Sequence, residues 1–249
     1  MATVAGNSLV RVTDTVYAAH TPHVNWTLVT GDNAVLLIDA GFPGDRSAVL
    51  ASLAELGYRP ADVAAVLLTH AHVDHFGTAI WLAGEHHVPV YCHADEVGHA
   101  RRDYLEQASP AQIARQAWRP RWLRWSLEIA RLGALTRAGI PTAAALTPEL
   151  AAALPGAPRA VPTPGHTGGH CSYLVGSVLV SGDALVTGHP VSDRVGPQLL
   201  PSVFNHDEAR CRASLTALAD VDAEILVPGH GEVWRAPIRE LAAQACPPR

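Results

Sequence analysis

The chain opens with short apolar runs broken by turn residues. LVRVTDTVYAAH, VNWTLVTG and NAVLLIDA follow one another within the first 40 residues, separated by Thr-Pro and Gly-Asp-Asn. Runs of this kind between turn formers predict an antiparallel meander. The period then changes. In GDRSAVLASLAELG the apolar residues Val49, Leu50, Leu53 and Leu56 recur at helical spacing, and Gly57 supplies a stop. VAAVLLTH is apolar almost throughout, as a strand covered on both faces must be. FGTAIWLAGEHH then reads as a helix and VPVYC as the next strand.

From about residue 159 the strand pattern resumes with RAVPTPG, HCSYLVG and VLVSGDAL, followed by a helix near 206–219 and the strand EILVPGH. The stretch between, residues 101–139, differs in character. Trp118, Trp122 and Trp125 stand at i, i+4 and i+7, which predicts one shared helix face, with Arg115, Arg119, Arg121 and Arg124 around it. The pattern as a whole is one α/β domain over residues 1–249, interrupted by a helical Arg/Trp-rich insertion at 101–139. The tryptophan stripe either packs on the core or roofs a substrate as a lid.

Composition narrows the class. With 48% hydrophobic and 16% charged residues over 249 positions, the chain can bury a large core and is not intrinsically disordered. A net charge of −5 argues against a nucleic-acid partner, whose footprint is normally basic. The charge is uneven: residues 101–139 hold eight Arg against three acidic residues, +5, which leaves −10 for the remainder. A local basic surface of this kind is either a solvated face or an attractant for an anionic small-molecule substrate. All 18 basic residues are arginine, a bias expected of a GC-rich bacterial genome. Cys92, Cys171, Cys211 and Cys246 form no Cys-x-x-Cys pair, and a disulfide framework is not expected. MATVAGNSLVRV lacks the charged-then-apolar order of a signal peptide, and no apolar run reaches membrane-spanning length. A cytoplasmic protein without stable membrane insertion is the expectation; the oligomeric state is left open.

The chemistry concentrates in Thr69-His70-Ala71-His72-Val73-Asp74-His75, directly after the buried strand. Imidazole and carboxylate are ligands for zinc and comparable metals, and four of them lie within six positions. The arrangement recurs downstream. Pro164-Gly165-His166, Ser181-Gly182-Asp183 and Pro228-Gly229-His230 each place one His or Asp after a β-like run and a glycine. Strand ends are where α/β sheets put their sites. Asp183 could instead cap a helix over the following ALV. Asp39, ending NAVLLIDAG, reads as a support or turn residue rather than a ligand. His20, His23, His86, His87, His93, His99, His170, His189 and His206 read as surface or hydrogen-bonded histidines, with His23, His189 and His206 better placed to line a pocket. Cys171 reads as a packed strand residue.

His-x-His-x-Asp-His, a later Gly-His, a Gly-Asp and a final Gly-His resemble the metallo-β-lactamase-fold hydrolases over about residues 23–234. The resemblance implies an αβ/βα four-layer sandwich with a metal site at one edge. By position it implies that His70, His72 and His166 hold one divalent metal, that Asp74, His75 and His230 hold a second, and that Asp183 bridges them. Zinc is the first choice, with iron and manganese as alternatives. An Asp at position 183, where β-lactamases of the fold carry Cys or Ser, is more similar to the glyoxalase II and lactonase branch. Only 19 residues follow His230, too few for the helical domain through which glyoxalase II contacts glutathione. The implied activity is cleavage of an ester, thioester or lactone by a metal-bridging hydroxide, with Asp74 also orienting the nucleophile. No Gly-x-Ser-x-Gly elbow offers a serine nucleophile instead. The alternatives are a mononuclear-iron persulfide dioxygenase of the same fold and a β-lactam hydrolase.

Overall fold

A computed structural model describes residues 8–246 of the chain; residues 1–7, which carry much of the leader reading above, and 247–249 lie outside it. The expected meander is formed by β1 (Ser8–Arg11), β2 (Val16–His20), β3 (Asn25–Thr30) and β4 (Val35–Ile38), antiparallel neighbours in chain order. Helix α1 (Arg46–Glu55) then carries the chain to β5 (Val63–Leu67), parallel to β4. After α2 (Val73–His86), β6 (Val90–Cys92) adds a further parallel strand. Helices α3 (Val97–Arg101), α4 (Pro110–Ala114) and α5 (Pro120–Arg131) precede β7 (Ala144–Ala145), which closes the seven-stranded first sheet.

The second sheet begins after α6 (Pro148–Ala153) with β8 (Arg159–Pro162), β9 (Cys171–Val175) and β10 (Val178–Gly182). Helix α7 (Glu208–Ala219) leads to β11 (Ile225–Pro228), parallel to β10, and β12 (Trp234–Arg235) and α8 (Ile238–Ala245) complete the described chain. The sheet order is β12-β11-β10-β9-β8.

Side-chain alternation explains why the two sheets stack between helices. In β4, Leu36 and Ile38 face the second sheet, where they join Tyr173, Val178, Val180 and Val227 in one core. Val35 and Leu37 point the other way and pack with Val49 and Leu53 of α1 and Phe76 and Leu82 of α2. The outer face of the second sheet, through Leu179 and Leu226, meets Leu215 and Leu218 of α7 and Ile238 and Leu241 of α8. Burying each of these large apolar side chains is worth roughly 1.5–3 kcal/mol. Three cores between four layers give the αβ/βα sandwich expected from the sequence. No helix of the described residues is long and apolar enough to cross a membrane.

Two local expectations need correction. The tryptophans do not share one helix face: Pro120 occupies the first turn of α5, so Trp118 precedes the helix and is 76% exposed, while Trp122 and Trp125 are buried. Proline tolerates a helix start and not its interior, and that sets the boundary. Helix α2 also begins earlier than FGTAIWLAGEHH indicates. His72 is its N-cap residue, so Asp74 and His75 lie in its first turn rather than in a loop, where the Asp74 carboxylate complements the helix dipole.

Candidate metal centre

Each residue of the cluster is delivered by the end of a strand or the start of the helix that follows one. The turn after β5 carries His70 and His72, and the first turn of α2 carries Asp74 and His75. His166 stands in the β8–β9 connection, while Asp183 and His230 directly follow β10 and the Pro228-Gly229 end of β11. Asn25 of β3 fixes the last of these, donating from Nδ2 to the carbonyls of Pro228 (2.9 Å) and Gly231 (2.7 Å). Gly229 is required here, because a Cβ at that position would run into the Asp183 carboxylate and the His75 ring.

The seven side chains converge. Ring nitrogens of His70, His72 and His166 form one group whose ligand atoms all lie within 4.8 Å of one another, and Asp74, His75 and His230 form another. Asp183 stands between them, its carboxylate 3.3 Å from Nε2 of both His166 and His230, 3.4 Å from His75 and 3.9 Å from His70. The geometry thus assembles all the residues picked out from the sequence.

Outer partners assign the tautomer of every one of the five histidines. His75 Nδ1 donates to Asp39 (2.8 Å) and His230 Nδ1 to the carbonyl of His23 (2.6 Å). Thr69 Oγ1 gives its proton to Asp39 (2.7 Å) and so accepts from His70 Nδ1 (3.1 Å). His72 Nε2 donates to the Glu106 carbonyl (2.7 Å). His166 Nδ1 donates to Asn205 Oδ1 (3.0 Å), an amide whose orientation is set by its Nδ2 donating to Glu208 (2.7 Å). Each ring therefore turns its second nitrogen inward, and in the neutral imidazole that nitrogen is a bare lone pair. His72 Nδ1 and His166 Nε2 face each other at 2.9 Å with no proton left for either, and His70 Nε2, His75 Nε2 and Asp183 Oδ1 are buried without a hydrogen-bond partner. Converging lone pairs of this kind repel one another unless a cation lies among them, and the outward N–H bonds are those that orient metal-binding histidines. The donor set, imidazole with carboxylate, fits zinc and comparable divalent metals.

Residues 21–230 match the profile of the metallo-beta-lactamase superfamily. The chain belongs to the metallo-beta-lactamase superfamily. Membership places it among metal-dependent hydrolases. It is similar to Uncharacterized protein YobT of Bacillus subtilis (strain 168), 31% identical over 228 residues that cover 88% of this chain and 87% of that protein. Probable metallo-hydrolase YflN of the same organism is 28% identical over 231 residues, 84% of this chain and 82% of the relative. Among solved structures, the metallo-beta-lactamase family protein TTHA1429 from Thermus thermophilus superposes with a TM-score of 0.61 at 27% identity, covering 98% of this chain and 79% of the other. Rm3 metallo-beta-lactamase shares the fold, with a TM-score of 0.64 at 18% identity over 95% of this chain and 90% of its own.

Electrostatics prepare the two groups of this superfamily member differently. Burial holds His70, His72 and His166 below the usual imidazole pKa, which keeps them neutral and ready as ligands. Burial opposes protonation of His75 as well, but the carboxylates of Asp183, Asp39 and Asp74 outweigh it and lift His75 well above the usual value. His230 is raised in the same way, burial being overcome by Asp183 and then Asp74. Ligand histidines must be deprotonated to bind. Metal uptake by metal-free protein at pH 7 is therefore expected to release protons, about one from each raised histidine. Calorimetric titration in buffers of different ionisation enthalpy reads this directly; uptake with no proton release would contradict it.

Three supporting residues, Glu96, His170 and Asp39, lie outside the ligand motifs, and Glu96 carries no sequence signal of its own. Glu96, fully buried, accepts from Ala71 N (2.7 Å) and His99 Nδ1 (2.9 Å) on one oxygen, and from Thr167 Oγ1 (2.7 Å) and Gly169 N (3.2 Å) on the other. It fastens the His70–His72 turn to the His166 loop. His170 bonds Thr163 Oγ1 through Nδ1 (2.8 Å) and accepts the Asp183 amide on Nε2 (3.1 Å); burial pushes its pKa down to about 3, so it stays neutral. Asp39 has the supporting role read from the sequence, held at a positive φ of 62°. Of the histidines expected beside the site, His189 lines the adjoining cavity and His23 touches Glu128 of α5 (3.5 Å), whereas His206 is exposed.

Proposed function

We propose that the chain hydrolyses an ester, thioester or lactone with two divalent metals, zinc first among them. The observation that carries this reading is the set of five outward-bonded histidines whose lone pairs converge on one buried carboxylate, Asp183. His70, His72 and His166 would hold one metal, Asp74, His75 and His230 the other, with Asp183 shared, in the manner of the glyoxalase II and lactonase branch. Such metals lower the pKa of bound water from 15.7 to about 7 and polarise a carbonyl oxygen.

The chain's own groups supply the remainder. Asp74 is the most accessible of the seven and borders the cavity, so its carboxylate is placed to orient the attacking water and to pass its proton to the leaving oxygen or sulfur. His189 accepts the Val191 amide on Nδ1 (3.2 Å), which assigns its proton to Nε2. Burial holds its pKa well below the usual value, so it stays neutral and serves as a hydrogen-bond donor toward a substrate oxygen. His189→Phe, which keeps an aromatic ring beside Trp125 and Phe204, is expected to lower kcat/KM by about a hundredfold with metal content unchanged. Unaltered kcat/KM would remove His189 from the reaction.

The reading is tested by the metal content of protein purified without chelators or added metal, followed by a panel of esters, thioesters and lactones. About two equivalents per chain with turnover on the panel supports it. About one equivalent of iron, with oxygen uptake on a persulfide and no hydrolysis, replaces it with the dioxygenase reading.

A further inference from the structure

A cavity of about 540 Å3 separates the metal centre from the helices of the 101–139 insertion. Five of the candidate ligands, His72, Asp74, His166, Asp183 and His230, line one end. Away from them the wall turns apolar: Phe42 from the β4–α1 loop, Ile113 of α4, Trp125 and Ile129 of α5, and Leu200 and Phe204 from the segment before α7. At the surface the apolar lining continues through Leu105 and Leu135, 51% and 68% exposed. Arg137, also exposed, is the only one of the insertion's eight arginines in the lining. Others are engaged elsewhere: Arg101 and Arg102 with backbone carbonyls, Arg121 with Asp193, Arg124 with Glu128, and Arg119 over the Trp118 ring.

Gln107, Ser126 and Thr136 also line the wall, the Gln107 Oε1 buried without a partner, but apolar side chains dominate and offer few hydrogen-bond partners to a multiply charged group. The wall can read length, since each methylene it covers leaves water. We infer that the substrate's acyl half is a flexible hydrocarbon chain that lies in this cavity, with its carbonyl carbon over the metal centre. The inference rests on the hydrolase reading for the reaction, in which water adds to the acyl carbon, the acyl C–O or C–S bond breaks, and the leaving group departs with a proton. It goes further in naming what is cleaved: an acyl ester, thioester or alkyl-substituted lactone, selected by its tail. On this inference the insertion's arginines form a solvated face rather than an attractant for an anionic substrate.

The test uses the purified metal-loaded protein with p-nitrophenyl acetate, butyrate, octanoate and dodecanoate below their aggregation limits. From acetate upward, kcat/KM is expected to climb about fourfold per added methylene, the fold-change equivalent to ~0.8 kcal/mol for burying one CH2, and to level off once the cavity is filled. Ile113→Asn and Ile129→Asn, on different helices so that misfolding of one leaves the other, are each expected to lower the octanoate-to-acetate ratio by about tenfold. A second readout is independent of turnover: ω-bromoundecanoate should quench tryptophan fluorescence saturably, and Trp125→Phe should remove most of that quenching. A flat series without quenching overturns the acyl inference and leaves the hydrolase standing. Quenching with no turnover of any ester, thioester or lactone upholds the acyl cavity and overturns the hydrolase. Failure of both readouts overturns both.

Discussion

Asp183→Asn is expected to fold and to fail to keep its metal. Among the described residues, Asp183 is the one carboxylate within 4 Å of ring nitrogens from both histidine groups, and it is 4% exposed. Asparagine fills the same space, so the constraint at Gly229, where no Cβ fits, is still met. The loss is electrostatic. In the site proposed above, a buried anion that would offset two metal cations becomes a neutral amide, whose NH2 meets the inward-facing nitrogens that would bind metal. Removing an outer partner of a metal site costs roughly 10–100-fold in affinity, and removing a shared ligand is expected to exceed about a hundredfold. The metal-free fold is expected to survive with reduced stability: burial raises the Asp183 pKa, but His230 and His75 outweigh it and hold the carboxyl well below the usual aspartate value, and the amide gives up that pairing. His75 keeps Asp39 and Asp74 as partners, so only part of its raised pKa is lost. Metal content after dialysis, beside a thermal melt of the metal-free variant, separates the two effects. Normal metal content with full turnover would take Asp183 out of the centre.

The parts of the site legible in the sequence share a cause. His70, His166, Asp183 and His230 each follow a strand-like apolar run or a Pro-Gly or Ser-Gly pair, and local pattern suffices to see them. At Gly182 the pair also has a steric reason: its φ is 51°, and a Cβ would meet Thr69 and His170. The same local pattern fails at Trp118, where spacing suggests a helix that Pro120 does not permit, and at α2, where FGTAIWLAGEHH leaves out the polar first turn. Helix α8 lies beyond the elements predicted from the sequence, although its Ile238, Leu241, Ala242 and Ala245 stand at i, i+3, i+4 and i+7 and are all buried. Glu96 was not readable. Within HADEVGHA it looks like one more solvated acid, and its partners Ala71, Thr167 and Gly169 lie 25 to 73 positions away. The cavity likewise joins residues from Phe42 to His230, and only the fold brings them to one wall.

Glu96→Gln is expected to show how much one such distant contact supports. All four neighbours of the carboxylate donate to it: Ala71 N and His99 Nδ1 to Oε1, Thr167 Oγ1 and Gly169 N to Oε2. Glutamine offers one carbonyl and turns an NH2 toward the other pair. Pointed at Thr167, the NH2 is tolerable, since the hydroxyl can rotate to accept, but Gly169 N–H then has no acceptor and the charge facing His99 is gone. Losing a charge-assisted acceptor and leaving a buried donor unsatisfied costs about 1–3 kcal/mol. At 249 residues that corresponds to a fall in Tm of roughly 2–12 °C. The pH dependence has a definite sign. Burial raises the Glu96 pKa, but the His99 and backbone hydrogen bonds prevail and leave it below the ordinary glutamate value. A depressed carboxyl stabilises the fold fully above the unfolded pKa, and that contribution is lost as pH falls through the folded value. The gap in stability between native protein and variant should therefore be complete at neutral pH and close on acidification. Metal should be lost unevenly as well. Glu96 braces the turn of His70 and His72 and the loop of His166, and its hydrogen bonds reach none of Asp74, His75 and His230. Affinity at the first group is expected to fall roughly 10–100-fold while the second holds. Titration of metal-free variant with zinc, read as two separate binding steps, decides it: equal weakening of both steps, or of neither, would mean that Glu96 supports the fold without positioning the ligands.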